Sequence, residues 1–255
     1  MPINYARRLT GKHRSSSANR QLGLTLCFVA GAINAGGFLA VHQYTSHMTG
    51  IVSSIADNLA LGTINLSVAG LAALLAFIVG ATCSTLLICY SRQRAMNSEY
   101  ALPLMLEAVL LLIFGPVGAR IDMTDAVFVS FTVMLLAFIM GLQNAVISKL
   151  SNAEIRTTHI TGIVTDIGIE AGRLLYGRLA RPAPSSPGGA GRLRLLAALV
   201  GCFFAGGVTG ALGFRWIGYF ATVPLSLLLM LLAGVPVIDD VRLYVRGRLH
   251  RDARK

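Results

Sequence analysis

The chain has 255 residues, a formal net charge of +11, a mean hydropathy of +0.67 and a hydrophobic content of 55%. Ordinary soluble domains have an apolar content of about 45–50% and a charged content of about 25%, against 13% charged residues here. These figures exclude a disordered chain, an extracellular disulfide scaffold and a nucleic-acid-binding module, and they predict a chain solvated mainly by lipid. The four cysteines lack metal-ligand spacing and are interpreted as small apolar residues within packed helices.

Six segments are long and apolar enough to cross roughly 30 Å of hydrocarbon as helices of about 20 residues. These segments are residues 22–43, 67–90, 102–120, 126–148, 195–214 and 216–237. The first follows a polar arm and lacks a signal-peptidase cleavage pattern, so it is predicted to remain in the protein as a membrane helix. The pattern therefore predicts an all-α polytopic membrane protein with six transmembrane helices.

Lys and Arg residues are distributed unevenly between the two sides of this arrangement. Twenty lie in the arm, in two loops and in the tail, at residues 1–21, 91–101, 149–194 and 239–255. The opposite side has two, Arg120 and Arg215. The positive-inside rule therefore predicts that both termini are cytoplasmic. The basic residues are interpreted as topological determinants that also attract anionic lipid headgroups, and not as a nucleic-acid site.

An internal repeat relates residues 22–121 to residues 122–238. The sequence G-A-I-N at 31–34 matches G-L-Q-N at 141–144 with an offset of 110, and S-H-M-T-G-I-V at 46–52 matches T-H-I-T-G-I-V at 158–164 with an offset of 112. Because each half has three spans, an odd number, the halves are predicted to have opposite orientations, as in many secondary transporters. The regions outside the repeated helices are a basic cytoplasmic arm (1–21), a cytoplasmic loop (177–194) and a basic cytoplasmic tail (239–255).

Each half also has an additional short helix that begins with H-x-T-G. Residues 48–62 would form about 22 Å of helix, which is too short to cross the hydrocarbon comfortably. We expect Thr49 and Thr161 to cap the two helices, so that free N–H groups at the positive end of each helix face a cavity. Whether residues 48–62 and 159–176 span, re-enter or lie at the interface stays open at this point. Residues 159–176 also fit an amphipathic helix at the cytoplasmic surface.

Polar groups inside a bilayer are costly, so those near the H-x-T-G segments and in the G-x-x-N motifs are the candidates for a substrate or ion path. They are Asn34, His47, Thr49, Gly50, Asp57, Asn144, His159, Thr161, Gly162 and Asp166. Asp57 and Asp166 are not at equivalent positions of the repeat. The alternatives are that the histidines only cap helices and that the asparagines only join helices. Glu107, in the third span, is either a site residue or half of a local polar pair.

A competing topology makes both H-x-T-G segments full spans, which gives eight helices and two parallel repeats. Recounting Lys and Arg for that topology lowers the bias from 20:2 to 17:5. The six-span topology is therefore preferred.

The G-x-x-N motifs at 31–34 and 141–144, followed by [ST]-H-x-T-G-I-V at 46–52 and 158–164, resemble the YoaK family of bacterial membrane proteins. The resemblance covers roughly residues 20–240. The family pattern often continues T-G with Asn, whereas Ile51 and Ile163 stand there in this chain. The resemblance implies a multi-pass protein of the bacterial inner membrane and implies no reaction, since the family has no known function.

The leading hypothesis is a small-solute transporter of unidentified substrate, with a homodimer among the assemblies it allows. The alternative is a non-transporting membrane sensor or scaffold that acts through its basic cytoplasmic segments. An enzyme is not expected, because the chain lacks H-E-x-x-H, G-x-S-x-G and Walker-type motifs. For the same reason we expect no cofactor and no bound metal, and a primary ATP-driven pump is disfavoured.

Overall fold

The computed structural model describes residues 10–11, 15–119, 126–151, 157–179 and 189–252. Within these ranges the chain forms α-helices, one short 3-10 helix at Gly218–Ala221 and no β-strand. The helices are α1 (Ser16–Val41), α2 (Met48–Ala60), α3 (Ile64–Gln93), α4 (Ala101–Gly118), α5 (Ala126–Leu150), α6 (Ile160–Leu179), α7 (Gly189–Ile217) and α8 (Thr222–Asp252). The predicted all-α class is therefore confirmed.

The helix boundaries differ from the predicted spans mainly at the segments that the sequence predicts to be cytoplasmic. Helix α1 begins at Ser16, six residues before the predicted span, because Ser15 caps it by accepting a hydrogen bond from the N–H of Ala18. Helix α8 continues to Asp252, through part of the predicted tail. Helices α6 and α7 both extend into the predicted 177–194 loop. Residues 1–9, 12–14, 120–125, 152–156, 180–188 and 253–255, including most of the predicted arm, lie outside the described residues.

Five helical stretches of the described chain are long and apolar enough to cross a membrane. Four correspond to α1, α3, α4 and α5, and the fifth, Gly189–Tyr244, contains α7, the 3-10 helix and most of α8. Neither α2 nor α6 is among them. Helix α2 has 13 residues, so it is only about 20 Å long.

The central helices differ from the peripheral ones in how much apolar surface they bury. In the most apolar 18-residue stretch of α5, 67% of the residues are buried, compared with 22% in that of α3. The outer surface of α3 leaves Leu75, Ile78 and Val79 about half exposed. A soluble protein rarely exposes such a continuous apolar surface, but a bilayer solvates it.

Helices pack in pairs whose directions follow from their hydrogen bonds. Helices α4 and α8 are antiparallel, because Asp240 in the second half of α8 accepts hydrogen bonds from the backbone N–H groups of Asn97 and Ser98, just before α4. At the other end of this pair, Thr222 donates to the carbonyl of Leu111. The other close pairs are α1 with α7, α3 with α5, α2 with α3, and α6 with α7.

Helices α1 and α5, which begin the two halves, also run in opposite directions where they meet. Asn19, near the start of α1, donates its side-chain amide to the carbonyl of Leu150 at the end of α5. The pairing of α1 with α7 is matched by that of α5 with α3, and the pairing of α2 with α3 by that of α6 with α7. Exchanging the halves therefore leaves these closest helix pairs unchanged.

Candidate functional site

Two pairs of helices cross closely, and each crossing uses the tetrapeptide F-x-x-G. Helices α1 and α7 carry it at 28–31 and 203–206, and helices α3 and α5 carry it at 77–80 and 138–141. A Cβ atom at any of the four glycines would lie 1.9–2.0 Å from the carbonyl oxygen of the partner motif's phenylalanine. Any larger residue would force the backbones apart, so glycine sets the closeness of both crossings.

In the first half, the segment after α1 folds back onto α1 and is held there by Asn34. The side-chain oxygen of Asn34 accepts hydrogen bonds from the hydroxyl of Ser46 at 2.8 Å and from the Ser46 N–H at 3.4 Å. Helix α1 ends at Val41, and His42 takes a left-handed conformation that turns the chain. Asn34 thereby fixes where His47 and the start of α2 lie.

The second half repeats this arrangement with equivalent residues. The side-chain oxygen of Asn144 accepts hydrogen bonds from the hydroxyls of Thr158 at 2.8 Å and Thr157 at 3.3 Å. Asn144 also donates its amide to the carbonyl of Met140. The asparagine of each G-x-x-N motif thus binds the segment that leads into its own H-x-T-G helix, and does not join separate helices.

The two H-x-T-G segments meet at one cavity of about 630 Å³, called here the central cavity. Side chains and backbone from α1, α2, α3, α6 and α7 surround it. Its lining residues are Asn34, Tyr44, Ser46, His47, Met48, Thr49, Phe77, Thr158, His159, Ile160, Thr161, Gly162 and Phe203. The cavity lies beside the helix crossings, since Phe77 and Phe203 belong to the F-x-x-G motifs.

The start of α2 at the central cavity differs from the expected cap. The N-cap residue is His47, and no side chain caps this helix. Thr49 lies inside the first turn, and in the second half α6 begins at Ile160, so Thr161 is also inside its helix. The expectation that the threonines cap these helices was therefore wrong, because each helix begins immediately after its histidine.

The structure brings six of the ten candidate path residues together around the central cavity: Asn34, His47, Thr49, His159, Thr161 and Gly162. Gly50 follows Thr49 in the first turn of α2, and Asn144 lies behind Thr158. Asp57 and Asp166 are further along α2 and α6 and do not line the cavity. The functional roles of all ten residues stay predictions.

The acidic residues of α6 belong to an ion-pair cluster with the start of α7. Arg192 of α7 lies 3.5 Å from both Asp166 and Glu170, and Arg173 lies 3.2 Å from Glu170 within α6. Glu170 is almost completely buried, whereas Asp166 is half-exposed. Asp57 is exposed on α2. Among the described ion pairs, Arg192 makes the connection between α6 and α7.

Glu107 has a local partner away from the central cavity. The side-chain amide of Gln143 on α5 donates to Glu107 at 2.9 Å, and both side chains are completely buried. The second carboxyl oxygen of Glu107 and the amide oxygen of Gln143 have no partner among the described residues. The structure thus agrees with the alternative that Glu107 forms a local polar pair.

Sequence reasoning missed several residues of the central cavity, although a signal for some was present. Phe77 and Phe203 are separated by 126 positions, the same offset that relates the glycines at 80 and 206. The four F-x-x-G tetrapeptides could have been found by searching all long apolar helices for one shared motif. Tyr44, which stacks on Phe38 with ring centroids 4.5 Å apart, has no counterpart in the repeat and gave no such signal.

A protein family described as "Protein of unknown function (DUF1275)" matches residues 22–235. The chain belongs to this family. It is also 31% identical over 155 residues to the UPF0700 transmembrane protein YoaK of Bacillus subtilis (strain 168), which covers 59% of this chain and 67% of that protein. The resemblance to the YoaK family is confirmed, and the chain is a multi-pass membrane protein of a family of unknown function. No solved structure matches it.

Proposed function

We propose that this protein is a small-solute transporter of the bacterial inner membrane, built from two inverted three-helix repeats with cytoplasmic termini. The solute would pass through the central cavity by alternating access, without covalent chemistry. The observation that carries the proposal is that both H-x-T-G helices begin at one open cavity between the halves, which has polar and apolar lining groups. Transporters of inverted-repeat architecture bind their substrates in this way, at interrupted helices near the midplane.

The packing of the helices supports the inverted repeat. Helices α1 and α5 run in opposite directions, as do α4 and α8. The closest helix pairs of the two halves correspond to one another, including the reciprocal F-x-x-G crossings. With α3 and α7 as the third pair of equivalent helices, the first half has α1, α3 and α4 and the second half has α5, α7 and α8. The short helices α2 and α6 would then end part-way through the bilayer, where irregular backbone is tolerated beside a polar cavity.

The composition of the cavity supports transport of a solute more than a purely structural role. A purely structural contact between the halves would bury these side chains, but His47, Thr49, His159 and Thr161 are all exposed. The cavity has hydroxyl and imidazole groups from both halves. Polar groups within a membrane protein commonly mark the path of a solute or ion.

The experiment is uptake into proteoliposomes containing the purified full-length protein. A panel of radiolabelled anions, cations and neutral solutes is tested, with empty liposomes as the control. We expect at least one solute to enter faster than into empty liposomes. We also expect Gly162→Trp, which places a large side chain in the open space beside the cavity, to remove that uptake while the protein remains folded. No protein-dependent flux of any solute would refute the transporter proposal.

A further inference from the structure

Glu107 of α4 and Gln143 of α5 form a polar pair in which two buried atoms lack a hydrogen bond. Both side chains are completely buried. The amide nitrogen of Gln143 donates to one carboxyl oxygen of Glu107 at 2.9 Å. The other carboxyl oxygen of Glu107 and the amide oxygen of Gln143 have no partner among the described residues. Both of these atoms are acceptors, so the pair lacks a hydrogen-bond donor.

No charged group of the described residues balances the Glu107 carboxyl. Glu107 is the one charged residue within α4, and the elements packed on α4 are α3, α5, the 3-10 helix and α8. Arg92 and Asp240 bond residues that precede α4, and Tyr219 packs on Gly118 where α4 ends, so these three groups lie at the two ends of the helix. The charged groups on the packed elements, as far as residue 244, are Arg92, Lys149, Asp239, Asp240 and Arg242, and the other titratable groups are Cys83, Cys89, Tyr90, Tyr219 and Tyr244.

A proton on Glu107 would supply the missing donor. An ionised carboxylate only accepts hydrogen bonds, so it would leave two buried acceptors without a donor and a charge without a partner. A carboxylic acid has an O–H that can donate to the amide oxygen of Gln143 while its other oxygen accepts from the amide nitrogen. In water a glutamate is protonated in only about one molecule in 500 at neutral pH. Burying an isolated carboxylate costs more than taking up a proton, so such a group becomes neutral.

Glu107 lies where a closely joined pair of helices meets a third helix. Thr222 and Ser226 of α8 donate to two backbone carbonyls of α4, and Asp240 of α8 accepts from the residues just before α4. Helices α4 and α8 are therefore tied along their length. The hydrogen bond between Gln143 and Glu107 joins this pair to α5. Movement of α4 and α8 together relative to α5 would separate the acid from the amide and open it to water.

We infer that Glu107 is a proton-binding site that holds a proton while α4 packs on α5 and releases it when the two helices part. On release the O–H bond breaks, the proton passes to water and a carboxylate remains. Because the proton is bound in one conformation and lost in the other, lower pH favours the packed conformation. Ionisable residues inside membrane helices serve as proton relays in transporters. Only the coupling of this proton to a solute rests on the proposed transport function, since the proton itself can be observed without transport.

The test is the infrared spectrum of the full-length protein in lipid at neutral pH. A protonated carboxylic acid has a carbonyl stretching band that a carboxylate lacks. We expect this band in the spectrum of the unmodified protein and its loss in Glu107→Gln. Glu170→Gln is the matched control and should keep the band, because Glu170 is also buried but pairs with Arg173 and Arg192. No loss in Glu107→Gln, or an equal loss in both variants, would overturn the inference.

A variant of the partner tests the geometry of the pair without removing the acid. Gln143→Leu removes both the acceptor for the O–H and the donor to the carboxyl carbonyl. Hydrogen bonding lowers the stretching frequency of a carbonyl, so we expect the acid band to move to a higher frequency in this variant. An unmoved band would show that the proton is not shared with Gln143 and would overturn the site. If Glu107→Gln fails to fold, the unmodified protein still decides, because a spectrum without an acid band would overturn the inference.

The outcomes separate this inference from the transporter proposal. An acid band that depends on Glu107, without flux of any solute, would refute transport and leave the proton site standing. Flux of a solute without an acid band would support transport and overturn the proton site. Where both are found, uptake into proteoliposomes should respond to an imposed pH gradient, and Glu107→Gln should lose this response because an amide cannot release the proton. An unchanged response would overturn the role of Glu107 in coupling.

Discussion

The two halves of the protein share the F-x-x-G crossings and the asparagine-held turns around their H-x-T-G helices, called here the shared frame. They differ in the charged side chains on and beside those helices. The crossings and the asparagine-held turns have equivalent residues in both halves. Three positions differ between the halves, two on the H-x-T-G helix and one on the helix that follows it. Ser54, Asn58 and Leu66 in the first half correspond, at offsets of 112 and 126, to Asp166, Glu170 and Arg192 in the second.

This difference changes what fills the space between each H-x-T-G helix and the helix that follows it. In the first half, Ser54, Asn58 and Leu66 line a second cavity of about 310 Å³ between α2 and α3. In the second half, Arg192 bridges the equivalent helices by pairing with Asp166 and Glu170. The geometry of the central cavity therefore depends on the features that the two halves share. We call the space between each H-x-T-G helix and the helix that follows it a flank. The first flank contains a cavity, whereas ion pairs hold the second together.

The largest effect is expected from breaking the shared frame at a crossing. In Gly206→Ala the new Cβ would lie 1.9 Å from the carbonyl oxygen of Phe28, so α1 and α7 must separate. We expect a loss of about 3 kcal/mol or more in the free energy of unfolding, measured by denaturation in mixed micelles. Gly201→Ala, on the same helix with nothing within 4 Å, is the control and should be neutral or slightly stabilising. Similar losses in the two variants would show that the crossing is not tightly packed.

A smaller effect is expected where only one half has a buried polar pair. Gln143 pairs with Glu107, and the residue equivalent to Gln143 in the first half is Ile33. Gln143→Ile should cost about 1–3 kcal/mol in unfolding free energy, because Glu107 loses the hydrogen bond that Gln143 donates. Adding Glu107→Leu should recover much of that loss, since removing both polar groups avoids an unsatisfied one. If the double variant lost the sum of the two single losses, the pair would not be coupled.

The frame could be predicted from the sequence only in part. Hydropathy gave the long helices, and the repeated H-x-T-G segments indicated residues that the structure places around one cavity. The count of six spans and the inverted repeat remain proposals. The helix ends were shifted because Ser15 caps α1 before the apolar run begins, a side-chain effect that hydropathy does not register.

The details of the cavity depended on contacts that a linear pattern does not contain. The residue before the first residue of α2 is His47 and not Thr49. The Asn34–Ser46 hydrogen bonds hold the chain just before His47, so that α2 begins there. The cost of a charge in lipid favours Asp57 and Asp166 as path residues, but both lie further along α2 and α6 and do not line the cavity. The pairing of Arg192 with α6 joins residues 22 and 26 positions apart, a separation that the periodicity of a single helix does not bring together.

The smallest of these effects concerns the ion pairs that distinguish the second flank. Arg192 joins α6 to α7, whereas Arg173 pairs with Glu170 inside α6 and cannot hold two helices together. Arg192→Gln should therefore let α6 separate from α7 more often and expose the buried face of α6. The measurement is the rate at which a membrane-impermeant maleimide labels Ile163→Cys, at a position that is only 5% exposed, in a background without the four native cysteines.

We expect labelling to become roughly fivefold faster in Arg192→Gln, because a pair with one exposed partner contributes about 1 kcal/mol. Arg173→Gln is the matched control and should label at the unmodified rate, since it removes the same charge from Glu170 without releasing a helix. Equal rates in the two variants would mean that the flank is closed by packing alone. The two halves would then differ in charge without differing in how readily they open.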